Sequence, residues 1–206
     1  YEGNETVVVD ITGVTNGTES GVQQARATIV DDDTPPTVTL TVDQADIAEN
    51  GGLATFTATL SEASGLAVTV DLGFSGSAAV TDDYTRSGTQ IVIAAGALSG
   101  FVTVTAVQDT LYEGDETVVV DITAVTNGAA SGVQQATTMI VDDDPLPSLS
   151  INDVTGDPEG NAGTKDAVFT VTLSPAAGLP VTVNWGTADD TAAAPGDYAG
   201  GSGTLT

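Results

Sequence analysis

Asp109 to Asp121 reads DTLYEGDETVVVD, an acidic loop that runs directly into a strand of β-branched residues. Four carboxylates stand within eight positions, at Asp109, Glu113, Asp115 and Glu116, and Gly114 among them permits a tight turn. Carboxylates crowded on a rigid element repel one another, and protonation or a bound cation relieves the repulsion. Because oxygen ligands in a loop suit a hard cation, the stretch indicates a calcium site at one edge of a sheet.

The stretch belongs to an internal repeat. Residues 1–33 match residues 112–144 at an offset of 111, with 26 of 33 positions identical. The register continues at 113 from Phe56 to Phe169 and at 114 from Asp83 to Asp197. A period of this size indicates tandem domains. The chain is therefore predicted to hold the end of one repeat (1–33), a complete repeat (34–144) and the beginning of a third (145–206).

Short segments rich in Val, Thr and Ile, bounded by Gly, Asp, Asn or Pro, predict seven strands in the complete repeat. Apolar alternation supports them, since Val102 and Val104 share one face, as do Val118 and Val120. Such a pattern is typical of an all-β fold with immunoglobulin-like, seven-stranded antiparallel β-sandwich domains in tandem. The predicted strands, A to G, are 37–43, 53–61, 66–73, 88–94, 100–107, 116–125 and 133–141.

Strand alternation also places the acids. Loops A–B, C–D and E–F and the end of strand G fall at one end of such a sandwich. The opposite end, with loops B–C, D–E and F–G, has no acid within the central residues of its loops. This segregation is hard to attribute to solubility. The acids at the first end are Asp46, Glu49, Asp82, Asp83, Asp109, Glu113, Asp115, Glu116, Asp142, Asp143 and Asp144.

Composition excludes several classes of function. The 29 acidic and 3 basic residues give a net charge of −26, so nucleic acid and anionic membrane surfaces would repel the chain. There is no Cys and no His, which removes disulfides, thiolate metal sites and the commonest general base. An enzyme is therefore not expected. No signal peptide and no apolar run long enough to span a bilayer is visible, so no direct membrane insertion is expected.

The combination of Asp83-Tyr84, YEGDET at 112–117 and the Asp triplet at 142–144 resembles the Calx-β domain family, which occurs in sodium–calcium exchangers and long bacterial surface proteins. The resemblance covers all three segments. It implies calcium (Ca²⁺) binding, although Gln108 and Thr110 depart from the exchanger's pattern and leave the number of ions open. The ligands that it implies are Glu49, Asp83, Asp109, Glu113, Glu116, Asp142, Asp143 and Asp144.

Carried onto the two partial repeats, the resemblance implies incomplete sites. The first segment has an Asn at position 4 where the second copy has Asp115, and the last segment lacks an E–F loop and a terminal triplet. The residues carried over are Glu2, Glu5, Asp31, Asp32 and Asp33 in the first segment, and Glu159 and Asp197 in the last.

Three classes of function compete. A stalk, adhesin or fibre of a secreted or cell-surface protein is favoured, because near-identical repeats add length without specialising each copy. Calcium at the domain junctions would stiffen it, helped by Pro35-Pro36 and Pro145-Leu146-Pro147. The alternative is a calcium sensor that regulates a neighbouring domain or transporter; an enzyme is third. The expected partners are calcium ions, neighbouring repeats and like chains in a fibre, and we expect the chain to be a window on a longer array.

Overall fold

The computed structural model describes residues 1–155, 158 and 160–206, and within them the protein is all-β, with sixteen strands. Among these residues no helix is long and apolar enough to cross a membrane. The chain forms two compact units. The first contains residues 1–108 and 115–141, and the second contains residues 109–114 and 142–206.

The first unit contains a sandwich of two five-stranded sheets. One sheet has the order β4-β12-β10-β6-β8 and the other β11-β3-β5-β9-β7. Pairing is antiparallel except at two short edge contacts, β4 with β12 and β11 with β3. The strands are β3 (Thr37–Val42), β4 (Asp46–Ala48), β5 (Leu53–Leu60), β6 (Val68–Gly76), β7 (Tyr84–Arg86), β8 (Gln90–Ile93), β9 (Ser99–Ala106), β10 (Glu116–Thr126), β11 (Ala129–Ala130) and β12 (Gln135–Val141).

The structure confirms the predicted immunoglobulin-like sandwich. Predicted strands A to G correspond to β3, β5, β6, β8, β9, β10 and β12, with ends that differ by at most three residues. Three short strands, β4, β7 and β11, were not predicted. Each has two or three residues, which is too short for an alternating pattern to be visible in the sequence.

Alternation along the strands builds the core. In β5, Ala54, Phe56, Ala58 and Leu60 are buried, while the Thr residues between them face outwards or lie half-buried. The facing sheet contributes the buried Val118 and Val120 of β10 and others of the same kind. Each fully buried Val, Leu, Ile or Phe side chain stabilises the fold by about 1.5–3 kcal/mol. The core thereby fixes both ends of every long strand, and with them the loops.

A separate hairpin precedes the sandwich in the first unit. It pairs β1 (Glu5–Asp10) with β2 (Gln24–Ile29), in a register that joins Glu5 to Ile29. Both strands are exposed along their whole length.

The second unit contains two antiparallel strand pairs. One joins β13 (Ser148–Ile151) to β14 (Val171–Ser174), and the other joins β15 (Val183–Gly186) to β16 (Ser202–Leu205). Their apolar side chains stay largely exposed, as Leu149 and Trp185 show.

Candidate metal centre

Backbone hydrogen bonds gather the predicted acidic loops at one end of the sandwich. The amide of Val107, just after β9, donates to the carbonyl of Asp83 at 2.9 Å. The amide of Glu49 donates to the carbonyl of Val141, the last residue of β12, at 3.1 Å. The A–B and C–D loops therefore lie beside the start of the E–F loop and the end of strand G, as strand alternation predicted.

Asp142 fixes the turn that carries Glu113. Its Oδ2 accepts the amide of Glu113 at 2.8 Å and that of Gly114, and its Oδ1 accepts the amide of Asp144 at 2.8 Å. Gly114 has a φ of 76°, which glycine adopts without strain. Burial works to raise the pKa of Asp142, but the three backbone donors outweigh it and hold that pKa below its ordinary value.

The same turn forms in the first unit, at the equivalent residues. Asp31 accepts the amides of Glu2 at 2.8 Å, Gly3 and Asp33 at 3.0 Å. Gly3 has a φ of 79°, close to that of Gly114. The backbone hydrogen bonds, led by that from Asp33, lower the pKa of Asp31 as well. Both aspartates are predicted from the sequence as metal ligands, but residue type and spacing give no sign of their role in holding the Tyr-Glu-Gly turn.

Asp144 has an environment suited to a cation ligand, and its neighbours in the sequence include no Lys or Arg. Within the described part of the chain, its Oδ2 is a buried oxygen that no hydrogen-bond donor reaches. Burial raises the pKa of Asp144, and the carboxylates of Asp142, Asp143 and Asp109 raise it further. A divalent cation would satisfy the oxygen and relieve the repulsion, so the donor set fits calcium.

Pairs of predicted ligands lie close together within each unit. Asp109 and Asp144 of the second unit present carboxylate oxygens within 4.8 Å of each other, and so do Asp83 and Glu116 of the first unit. These four residues are among the eight ligands that the family resemblance implies. Closely spaced carboxylates of this kind are suited to a hard cation.

The residues predicted in the partial repeats form no group of three or more closely spaced acids within the described ranges. These are Glu2, Glu5, Asp31, Asp32, Asp33 and Asp197, while Glu159 lies outside the described residues. Asp197 nevertheless repeats the local turn of Asp83. It accepts the amide of Ala193 at 2.9 Å, as Asp83 accepts that of Ala79. The C–D loop thus folds alike in both units.

The chain matches the model of the Calx-beta domain in two stretches, residues 31–144 and 158–206. No curated protein matches it. Among solved structures, the apo form of the Calx CBD1 domain is 17% identical at a TM-score of 0.47, covering 54% of this chain and all of its own. CBD12 from CALX1.2 is 20% identical at a TM-score of 0.46, covering 82% of this chain and 69% of its own.

The calcium binding domain CBD12 of CALX1.1 is 19% identical at a TM-score of 0.45 over 51% of this chain, which spans 44% of that longer protein. The family model covers well over half of the residues, in two successive segments, and the folded sandwich lies within the first of them. The chain belongs to the Calx-beta domain family.

Proposed function

We propose that the chain is a calcium-binding, tandem-repeat structural module of a long extracellular or cell-surface protein, in which calcium at the domain junctions stiffens the array. The observation that carries this proposal is Asp144, whose buried Oδ2 is unpaired within the described residues and whose pKa is raised by burial and by three neighbouring carboxylates. A dication removes both penalties at once.

The loop architecture supports the same conclusion. Asp109 and Glu113 belong to one short loop, and Asp142 ties that loop to the Asp triplet that ends the repeat. Residues that bind calcium there would connect the end of one domain to the segment that opens the next. The segment begins with Pro145-Leu146-Pro147, and its prolines restrict the backbone that follows.

A structural role accounts for the repeat better than sensing does. Residues 1–33 and 112–144 agree at 26 of 33 positions, and a sensor tuned domain by domain would diverge. Catalysis is not part of the proposal, because the chain has no His or Cys to accompany the carboxylates. Its partners would be calcium, neighbouring repeats and like chains in a fibre or surface assembly.

Titration calorimetry of the calcium-free 206-residue chain tests calcium binding. We expect saturable binding of calcium that the double variant Glu113→Gln, Asp143→Asn loses, whereas Glu62→Gln, an exposed acid outside the acidic end, retains it. Small-angle scattering then tests stiffening, and we expect a longer maximum dimension with calcium than with chelator. Absence of calcium binding at millimolar concentration, or a scattering profile indifferent to calcium, would reject the proposal.

A further inference from the structure

In the second unit, a backbone contact joins the Tyr-Glu-Gly turn of the complete repeat, at residues 112–114, to the B–C loop of the third repeat. The amide of Gly178 donates to the carbonyl of Tyr112 at 3.0 Å. Tyr112 also forms a parallel bridge with Ala177. Tyr112 belongs to the complete repeat by sequence, whereas Gly178 belongs to the next one, so the contact crosses a repeat boundary.

The same contact occurs independently in the first unit. There the amide of Gly65 donates to the carbonyl of Tyr1 at 2.8 Å, and the hydroxyl of Ser64 donates to the same oxygen at 3.1 Å. Tyr1 and Tyr112 are equivalent residues at the 111-residue offset. Gly65 and Gly178 are separated by 113 residues, the offset that relates Phe56 to Phe169.

Both B–C glycines lie in close contact with the turn that they meet. A Cβ on Gly65 would lie 2.8 Å from the Cβ of Glu2, and a Cβ on Gly178 would lie 2.5 Å from the Cγ of Glu113. Carbon atoms in ordinary contact are about 3.5–4.0 Å apart, so an added methyl group requires a shift at either joint. At Gly65 the neighbouring Cβ is fixed to the backbone, so the loop must move away from the turn, whereas at Gly178 the side chain of Glu113 must change its position.

We propose that the Tyr-Glu-Gly turn, at residues 1–3 and 112–114, is a docking surface whose partner is the B–C loop of the next copy of this domain. Gly65 and Gly178 are the residues that make the loop fit. The two surfaces differ from one another, so the contact is heterologous and extends the array in one direction. The complete repeat uses both: its Gly65 meets the preceding turn, and its own turn meets Gly178.

Calcium would influence this docking through Glu113, which lies against Gly178 and is also a proposed ligand. Only this influence of calcium on docking rests on the proposed function, since the hydrogen bonds and the glycine contacts do not involve an ion. Binding at Glu113 would hold the side chain on which the following loop rests.

Amide hydrogen exchange, followed by NMR on the intact 206-residue chain, tests the docking. We expect the amides at positions 65 and 178 to be protected. Gly65→Ala and Gly178→Ala are expected to speed exchange at the substituted position by about tenfold, the order expected for one lost backbone hydrogen bond. Unprotected amides in the parent chain, or protection that survives both alanine substitutions, would overturn the proposal.

Two matched variants control for the substitution itself. Gly13→Ala adds a methyl group where no atom lies within 4 Å, and Gly196→Ala adds one that meets only a carbonyl oxygen at 3.7 Å. We expect both to leave exchange at positions 65 and 178 unchanged. Amides of β5 and β9, and of β15 and β16, report whether each unit of the variants remains folded.

Repeating the exchange experiment in calcium and in chelator separates this inference from the proposed function. Protection in chelator, in a chain that binds no calcium, supports the docking surface and rejects the calcium module. Calcium binding with unprotected amides at positions 65 and 178 in both conditions rejects the docking surface and leaves the calcium module standing.

Discussion

Replacing Asp144 with Asn is expected to act in opposite directions with and without calcium. The raised pKa means that the folded state holds a proton on Asp144 more tightly than the unfolded chain does. Ionised Asp144 therefore destabilises the calcium-free fold as pH rises through the raised value, and at neutral pH the cost is fully present. Asp144→Asn removes that cost, so the melting temperature of the chelated protein should rise.

Calcium should reverse the order, because the variant loses a charged ligand. At 100 times its dissociation constant, an ion that binds only the folded state stabilises it by about 2.7 kcal/mol. The sandwich from β3 to β12 spans about 100 residues, and its unfolding entropy of about 0.2 kcal/mol/K converts this to about 13 °C. A tenfold loss of affinity would reduce the gain at the same calcium concentration to about 1.4 kcal/mol, or about 7 °C.

Scanning calorimetry in chelator and in calcium measures both effects, with Glu62→Gln as the control for a neutralised exposed acid. We expect the control to change neither the melting temperature in chelator nor its rise on adding calcium by more than the shift that corresponds to about 0.5 kcal/mol of stability. A lower melting temperature for Asp144→Asn in chelator, or an undiminished calcium increment, would refute the electrostatic reasoning.

Asp142 provides a test of pH dependence: because its pKa is lowered, its contribution to stability is present above its ordinary value of 3.8 and is lost as pH falls through the lower folded value. Asp142→Asn should thus lower the free energy of unfolding at neutral pH and make it depend less on pH in acid, as urea unfolding between pH 6 and pH 2 would measure. An unchanged dependence of that free energy on pH below pH 4 would contradict this. Phe56→Ala should destabilise the sandwich by about 3–5 kcal/mol in urea unfolding, since Phe56 is fully buried. Phe101→Ala, at a side chain 66% exposed, should cost about 0.5 kcal/mol or less, and equal losses would refute the assignment of the core.

The long strands could be predicted because each one has an alternation of apolar and polar residues. Val102, Val104 and Ala106 in β9 and Val118 and Val120 in β10 are all buried, as their spacing indicated. The bulge in β10 between Ile122 and Ala124 lay beyond prediction, since it depends on register against β6. The same applies to β4, whose three residues form a strand only because β12 lies beside them.

Strand alternation predicts much of the candidate site, but it does not predict the different roles of the individual acidic residues. Counting acids at one end of the sandwich identifies Glu49, Asp83 and Asp144, but it treats all members of the Asp triplet alike. The structure distinguishes them: Asp142 accepts backbone amides, and Asp144 has a buried oxygen that accepts none within the described residues. Such differences arise from the path of the backbone, which residue type and spacing do not specify.

The B–C glycines were also invisible to that reasoning, because Gly65 lies at the end of the sandwich that has few acids. The only signal in the sequence is that a glycine recurs at position 178, within the register of the repeat. Sequence comparison of the two copies shows the recurrence, but the reason for it is a close approach between segments about 64 residues apart.

Equivalent residues occupy both joints, so the addition or loss of one whole repeat leaves the residues of the remaining joints unchanged. A recombination event that removes or duplicates one whole period leaves a Tyr-Glu-Gly turn facing a B–C glycine at every remaining boundary. No compensating substitution is needed, so the array can change its length in whole repeats by unequal crossing-over within a single gene. Natural variants of different length should therefore differ by whole multiples of about 111 residues.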